Sequence, residues 1–204
     1  MSVNFKSLPV IILAAGDSQR MGEIKGLLDY KGKPFLAFQL EKLLEIGFWE
    51  IIVVLGNDYQ IYQDKIPKLK NTVITINPSP EKGQFSSIQY GLLEVSKVNQ
   101  SGVFILPVDV PCPEKEVWEH LEKSLSSSNA NVSIPAYQGK KGHPVIISEK
   151  FKEYLLTCKT DSRLDFEINK QKDMEKAKII SVKDKNITRN LNTPENWEEF
   201  KVNP

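Results

Sequence analysis

The chain has 204 residues, with 27 Lys and Arg against 26 Asp and Glu, and a net charge of +1. This length favours one domain spanning residues 1–204, and the charge balance excludes a strongly basic nucleic-acid-binding protein. No apolar run approaches the roughly 20 residues of a membrane helix, so no membrane partner is expected. Two cysteines, Cys112 and Cys158, cannot form a disulfide framework, which favours reduced thiols in a cytoplasmic protein.

Apolar runs and helical patterns alternate along the chain. Apolar runs predict strands at Val10–Ala14, Ile51–Leu55, Thr72–Ile76, Val103–Leu106, Val132–Pro135, Pro144–Ile147 and Lys178–Val182. Helical spacing and capping residues predict helices at Pro34–Gly47, Ser86–Ser96 with Ser86 as its cap, Pro113–Leu125 and Pro194–Phe200 with Thr193 as its cap. A polar segment at 138–142 predicts a hairpin-like excursion. The alternation predicts an α/β fold with a mostly parallel central sheet and helices on both faces.

The segment after the first predicted strand carries the strongest functional signal. Residues 13–25 read LAAGDSQRMGEIK and place Gly16, Arg20 and Lys25 beyond the carboxyl end of that strand. Ligands of open α/β sheets bind at such strand ends, and a glycine there lets backbone N–H groups approach a phosphate. The two cations suggest a polyphosphate ligand, and a solvated loop is the alternative. Neither the Walker pattern nor the three-glycine dinucleotide fingerprint is present, so hydride transfer is not expected.

Two further segments follow predicted strands. Asp109 lies between two prolines after the fourth strand, where a carboxylate could hold Mg²⁺ opposite the phosphate loop. The alternative is an Asp that caps a turn. Ser86 and Ser87 lie near a predicted helix start, where they could bind a nucleotide or simply cap the helix.

Two short motifs near the carboxyl end of the chain complete the candidates. Asn190 and Asn192 would share one face of an extended segment and could contact a metal or a phosphate, or form a turn before the last helix. His143, between Gly and Pro in a shaped turn, could contact an acceptor substrate or serve as a hydrogen-bonding turn residue.

Taken together, these motifs resemble one known family. Residues 13–25 match the LAAGxSxRMGxxK signature that opens the molybdenum-cofactor nucleotidyltransferases. The similarity continues in order through 27–36, 83–92, 107–111, 139–147 and 190–195. The resemblance implies a Rossmann-like nucleotidyltransferase fold. It also implies a reaction in which an acceptor phosphate oxygen attacks the α-phosphorus of a nucleoside triphosphate and releases pyrophosphate.

The resemblance assigns a role to each matching residue, with Mg²⁺ as the cofactor. Those implied to be catalytic are Lys25, Arg20 and Asp109. Those implied to bind the nucleotide are Leu13, Ala14, Ala15, Gly16, Arg20, Lys25, Ser86 and Ser87. Asp109 and Asn192 would bind the metal, and His143 and Asn190 would bind the acceptor.

The resemblance also narrows the substrates. Ala15 is typical of members that use CTP, whereas the NLNTPE segment at 190–195 is more similar to those that use GTP. The expected reaction is transfer of CMP to a phosphorylated, molybdopterin-like acceptor, with a molybdoenzyme as a possible partner. The alternatives are a GTP-using enzyme, a transferase acting on a sugar or isoprenoid phosphate, and a nucleotide-binding accessory protein without catalysis.

Overall fold

The computed structural model describes residues 3–16, 21–96 and 102–204. Its strands are β1 (Val10–Ala14), β2 (Asp29–Tyr30), β3 (Lys33–Pro34), β4 (Ile51–Leu55), β5 (Val73–Ile76), β6 (Val103–Pro107), β7 (Val132–Tyr137), β8 (Lys140–Lys141), β9 (Val145–Ile147) and β10 (Ala177–Ser181). Its α-helices are α1 (Phe35–Ile46), α2 (Tyr59–Lys65), α3 (Gln84–Glu94), α4 (Lys115–Ser126), α5 (Glu149–Thr157), α6 (Leu164–Asp173) and α7 (Pro194–Val202).

A central sheet organises the molecule, with strand order β10-β7-β9-β6-β1-β4-β5 and β8 paired to β7. The half formed by β6, β1, β4 and β5 is parallel throughout. In the other half β9 runs antiparallel to both β6 and β7, whereas β10 is parallel to β7. The carboxyl ends of β1, β4 and β6 therefore meet along one edge, where loops can bind ligands.

Helices cover both faces of the sheet, which confirms the predicted α/β fold. Alternate residues of β1 point to opposite faces, as strand geometry requires. Ile12 packs in the core beneath α1 and α4, and Ile11 packs in the core beneath α3 and α5. All five residues of β1 are buried, as expected for a strand covered on both sides.

Most predicted elements are confirmed to within one or two residues, including the hairpin formed by β7 and β8. Thr193 caps α7, because its side chain accepts a hydrogen bond from the Asn196 N–H. The prediction that Ser86 caps a helix is wrong, since α3 begins at Gln84. Ser86 lies inside the first turn and donates its hydroxyl to the Gly83 carbonyl over 2.8 Å.

Sequence reasoning assigned no element to three observed helices, α2, α5 and α6. Each is only seven to ten residues long, so few apolar positions repeat along it. No helix in the described part of the chain is both long and apolar enough to cross a membrane.

Candidate active site

Three polar side chains from distant parts of the chain meet at the carboxyl edge of the sheet. Lys25 Nζ lies 3.1 Å from Asp109 Oδ2 and 2.5 Å from Asn192 Oδ1. The Lys25 and Asp109 side chains are each only 19% exposed, so water screens this ion pair weakly. The structure thus brings the loop cation, the strand-end carboxylate and the late asparagine to one point.

The turn that carries Asp109 is held by Gln39 of α1. The Gln39 amide group donates to the Val108 carbonyl over 2.9 Å, and its oxygen accepts from the Cys112 N–H over 2.6 Å. Gln39 is fully buried, so neither bond competes with water. One side chain therefore fixes the backbone on both sides of Asp109.

Lys25 begins a short 3₁₀ turn, Lys25–Leu27, that Tyr62 supports from below. The Gly26 N–H is a hydrogen-bond partner of the Tyr62 hydroxyl. A side chain at Gly26 would lie 2.6 Å from that hydroxyl oxygen, so only glycine allows so close an approach. Burial raises the pKa of Tyr62 well above its usual range, so the phenol is neutral here.

Asn192 lies in the segment that follows β10, the edge strand at the opposite end of the sheet from β5. The chain returns from that edge to the site and places Asn192 beside Lys25. The Leu191 N–H donates to the Asp109 carbonyl over 2.8 Å, which ties this segment to the Asp109 turn. The next element, α7, is anchored in an aromatic cluster formed by residues of the β2–β3 hairpin, α1 and α7. This cluster contains Tyr30, Phe35, Trp197 and Phe200.

A cavity of about 140 Å³ lies beside Lys25 and Asp109. Of the residues predicted to bind nucleotide, those lining this cavity are Leu13, Ala15, Gly16, Lys25 and Ser87. The Ala14 side chain packs into the core, so contact from this residue would come from its backbone. Arg20, predicted to be catalytic and to bind the nucleotide, lies outside the described residues.

The two predicted serines are oriented by Asn77, which is fully buried. The Asn77 amide group donates to both Ser86 Oγ and Ser87 Oγ over 2.9 Å. Ser86 in turn donates to the Gly83 carbonyl, whereas Ser87 faces the small cavity. Of this pair, only Ser87 lines the cavity.

A larger cleft of about 600 Å³ adjoins the small cavity, because Gly83 and Gln84 line both. His143 and Asn190, the two predicted acceptor-binding residues, lie in its wall. Its remaining lining combines three cations with two acids and a group of apolar side chains. The charged members are Lys82, Lys141, Arg163, Asp161 and Asp165.

His143 is held in place by its backbone. Its N–H donates to the Ile187 carbonyl over 2.8 Å, and a side chain on the preceding Gly142 would collide with that carbonyl. Burial lowers the pKa of His143, although the nearby Asp109 charge partly offsets this. The ring is therefore neutral near pH 7, and its Nδ1 has no hydrogen-bond partner among the described residues.

The donor set suits a hard divalent cation. Asp109 Oδ2 and Asn192 Oδ1 converge on the single position taken by the Lys25 ammonium group. Mg²⁺ prefers such carboxylate and amide oxygens and takes its other ligands from water and substrate phosphates. Within residues 3–16, 21–96 and 102–204, no group of three or more His, Cys, Asp or Glu could hold a metal unaided.

Sequence reasoning missed Gln39, Tyr62 and Asn77, which support the site without lying in its motifs. Each hydrogen-bonds to a residue at least nine positions away or to a different element, so no local spacing marks it. Of these three residues, only Gln39 gave a signal in the sequence. It is a polar residue on the apolar face of a predicted helix, a position that usually indicates a buried hydrogen bond.

Comparison with known proteins gives the family context. The chain is 28% identical over 142 residues to a probable molybdenum cofactor guanylyltransferase of Natranaerobius thermophilus, covering 65% of this chain and 62% of that relative. It is 26% identical over 143 residues to a molybdenum cofactor cytidylyltransferase of Escherichia coli, covering 70% of this chain and 71% of that relative.

A solved structure shares the whole fold. It is the homologue of Mycobacterium tuberculosis Rv0371c from Mycobacterium sp. strain JC1, with a TM-score of 0.79 and 20% identity over 97% of this chain and 96% of that one. The model of the MobA-like NTP transferase domain matches residues 10–174, which is most of the chain. The protein therefore belongs to the family of MobA-like nucleotidyltransferases.

Proposed function

We propose that this protein transfers CMP from CTP to a small phosphorylated acceptor resembling molybdopterin and releases pyrophosphate. One observation carries the proposal. Lys25 and Asp109 form a 3.1 Å pair beside a small cavity, and that cavity shares the wall residues Gly83 and Gln84 with a cleft large enough for a second substrate. Two adjoining sites of this kind are what a transfer between two bound molecules requires.

The chemistry follows from the charges at the junction of the two cavities. An acceptor phosphate oxygen in the larger cleft would attack the α-phosphorus of the triphosphate, and the bond to pyrophosphate would break. Lys25 and the N–H groups near Gly16 would stabilise the negative charge on the transferred and leaving groups. No covalent intermediate with the protein is needed, since the acceptor itself supplies the nucleophile.

Mg²⁺ is part of the proposal. Asp109 and Asn192 would hold the ion, and when bound it supplies positive charge beside the phosphates. Lys25 would then release its contacts with these two residues and turn toward the triphosphate. Arg20 remains a predicted phosphate ligand in the opening loop.

The choice of CTP rests on Ala15. This residue lines the small cavity, and an alanine at this position is typical of the family members that use CTP. GTP is the second candidate, because relatives of this chain include proteins named as guanylyltransferases as well as a cytidylyltransferase.

The acceptor cleft suits a small anionic molecule with an apolar part. Its volume is in the range of small-molecule sites, and Lys82 and Lys141 supply positive charge beside apolar walls that include Phe85 and Ile168. Both cysteines are free thiols, which suits the reducing cytoplasm. A molybdoenzyme partner that receives the product stays a prediction.

The test is pyrophosphate release measured with each of the four nucleoside triphosphates, with and without acceptor, in Mg²⁺ buffer. We expect release with CTP and molybdopterin and little with any other pair. Release with GTP instead would replace CTP in the proposal, and release with a sugar or isoprenoid phosphate would replace the acceptor. If no pair releases pyrophosphate, the transferase proposal fails and a binding-only role remains.

A further inference from the structure

One wall of the larger cleft is built from a segment that has no regular secondary structure. Residues 158–163 connect α5 to α6, and Asp161, Ser162 and Arg163 of this segment line the cleft. A backbone hydrogen bond from the Ser162 N–H to the Lys159 carbonyl closes a turn within the segment. Such a segment needs side-chain contacts from elsewhere to keep one shape.

Glu167 of α6 provides the first of these contacts. Only 3% of this residue is exposed, yet its carboxylate accepts three hydrogen bonds. The donors are the Ser162 hydroxyl at 2.6 Å, the Tyr154 hydroxyl at 2.7 Å and the Lys170 ammonium at 2.9 Å. These donors belong to the cleft segment, to α5 and to α6, so one buried carboxylate joins all three.

The protonation state of Glu167 fits this role. Burial on its own raises the pKa of Glu167, but the hydrogen bonds from Ser162, Lys170 and Tyr154 outweigh burial and lower the pKa below its usual value. The group is therefore an ionised acceptor at neutral pH, and its hydrogen bonds are of the stronger, charge-assisted kind.

Gln89 of α3 holds the other end of the same segment. Its amide nitrogen donates to the Leu155 carbonyl and to the Cys158 carbonyl, each over 2.9 Å. Gln89 is 8% exposed, and it belongs to the helix whose first turn, at Gly83 and Gln84, lines both cavities. The segment is thereby fixed to the same helix that borders the nucleotide cavity.

We propose that Gln89 and Glu167 are positioning residues that hold residues 158–163 in the shape that binds the acceptor. The inference rests on the proposed function, because it assigns the larger cleft to the acceptor. Neither side chain lines the cleft, so both act through the segment and leave the nucleotide cavity unchanged. The Glu167 carboxylate of this network is buried, whereas the Lys170 side chain is 41% exposed. The desolvation of the buried carboxylate offsets much of its attraction to Lys170, so the network contributes to a specific geometry more than to stability.

The test is Glu167→Gln, which keeps the size of the side chain but replaces one accepting oxygen with a donating amide. We expect the KM for the acceptor to rise about ten-fold, as for loss of a hydrogen bond to a charged group. The KM for CTP should stay within about two-fold of that of the unaltered protein, since nucleotide contacts are intact. The matched control is Glu153→Gln, because Glu153 is an exposed residue of the neighbouring α5.

A second measurement does not depend on activity. Cys158 lies at the start of the segment and is partly exposed, whereas Cys112 is buried. A disulfide reagent such as DTNB should therefore label Cys158 first. The Glu167 charge is one of the causes that raise the pKa of Cys158, so rates are measured across pH and compared as the rate constant of the thiolate. We expect Glu167→Gln to raise this rate constant several-fold, with the labelled residue identified by mass spectrometry. Should this variant not fold, Tyr154→Phe removes one of the three hydrogen bonds to Glu167 at a residue outside the cleft lining, and it should shift both readouts in the same direction.

The outcomes separate the two proposals. Equal rises in both KM values, or an unchanged acceptor KM together with an unchanged labelling rate, would overturn the positioning role. If the unaltered protein transfers no nucleotide, the proposed function fails. Whether Glu167 fixes residues 158–163 is then tested by the labelling of Cys158 alone. An unchanged labelling rate in Glu167→Gln would overturn this role.

Discussion

The small cavity and the large cleft adjoin each other, but they are held by different kinds of interaction. Around the small cavity, parallel strands end side by side and buried neutral amides, Gln39 and Asn77, fix the turns. The cleft wall instead depends on the buried carboxylate of Glu167 and on an irregular segment. The comparison indicates that the small cavity is set by the regular sheet and its buried amides, whereas the shape of the cleft wall follows from a few side-chain contacts.

Lys25→Ala tests the small cavity and has the largest expected effect of the four variants. We expect turnover to fall about 100-fold or more, as for loss of one electrostatic contact with the transition state. Pyrophosphate release at saturating substrates is the measurement, and Lys65→Ala, which removes an exposed lysine of α2, is the control. Near-normal turnover in Lys25→Ala would remove this residue from the mechanism.

Asp109→Asn examines the proposed metal site at the same junction. The neutral amide is a poorer ligand for Mg²⁺, so the Mg²⁺ concentration for half-maximal activity should rise at least about ten-fold, with lower activity throughout. A titration of activity against Mg²⁺ measures this, with Asp64→Asn on the exposed face of α2 as the control. An unchanged titration would count against the metal role of Asp109.

Gln39→Leu asks whether the small cavity is as rigidly supported as its hydrogen bonds indicate. The variant leaves the Val108 carbonyl and the Cys112 N–H buried without their partner. We expect the free energy of unfolding to fall by about 1–3 kcal/mol for each group, measured by urea denaturation. Gln60→Leu, at an exposed position of α2, should change it little; equal losses in the two variants would contradict the supporting role.

Tyr62→Phe should have the smallest effect of the four. The phenylalanine fills the same space but removes the hydroxyl that contacts the Gly26 N–H. Loss of one neutral hydrogen bond corresponds to about 1 kcal/mol, so kcat should fall about five-fold while the KM for the acceptor stays constant. Tyr59→Phe serves as the control, and a matching loss of kcat there would show that the effect is not specific to the support of Lys25.

Particular residues show how far the sequence could be interpreted. The apolar run of β1 and the glycine-containing segment after it indicated a buried strand and a ligand loop, because both signals are local. The support that Gln39 gives to the Asp109 turn could not be predicted, since it joins residues 69 positions apart. The same holds for residues 158–163, because their place in the wall of the larger cleft depends on contacts with Glu167 and Gln89.

The sequence by itself determined the alternation of strands and helices and the chemical types of residues at the strand ends, since hydrophobic periodicity and turn preferences are properties of neighbouring residues. Only the tertiary structure decided that Lys25, Asp109 and Asn192 converge, and which buried side chains fix the cleft wall. These contacts depend on the order of strands in the sheet and on where the chain returns to the site after β10. No local sequence pattern specifies either.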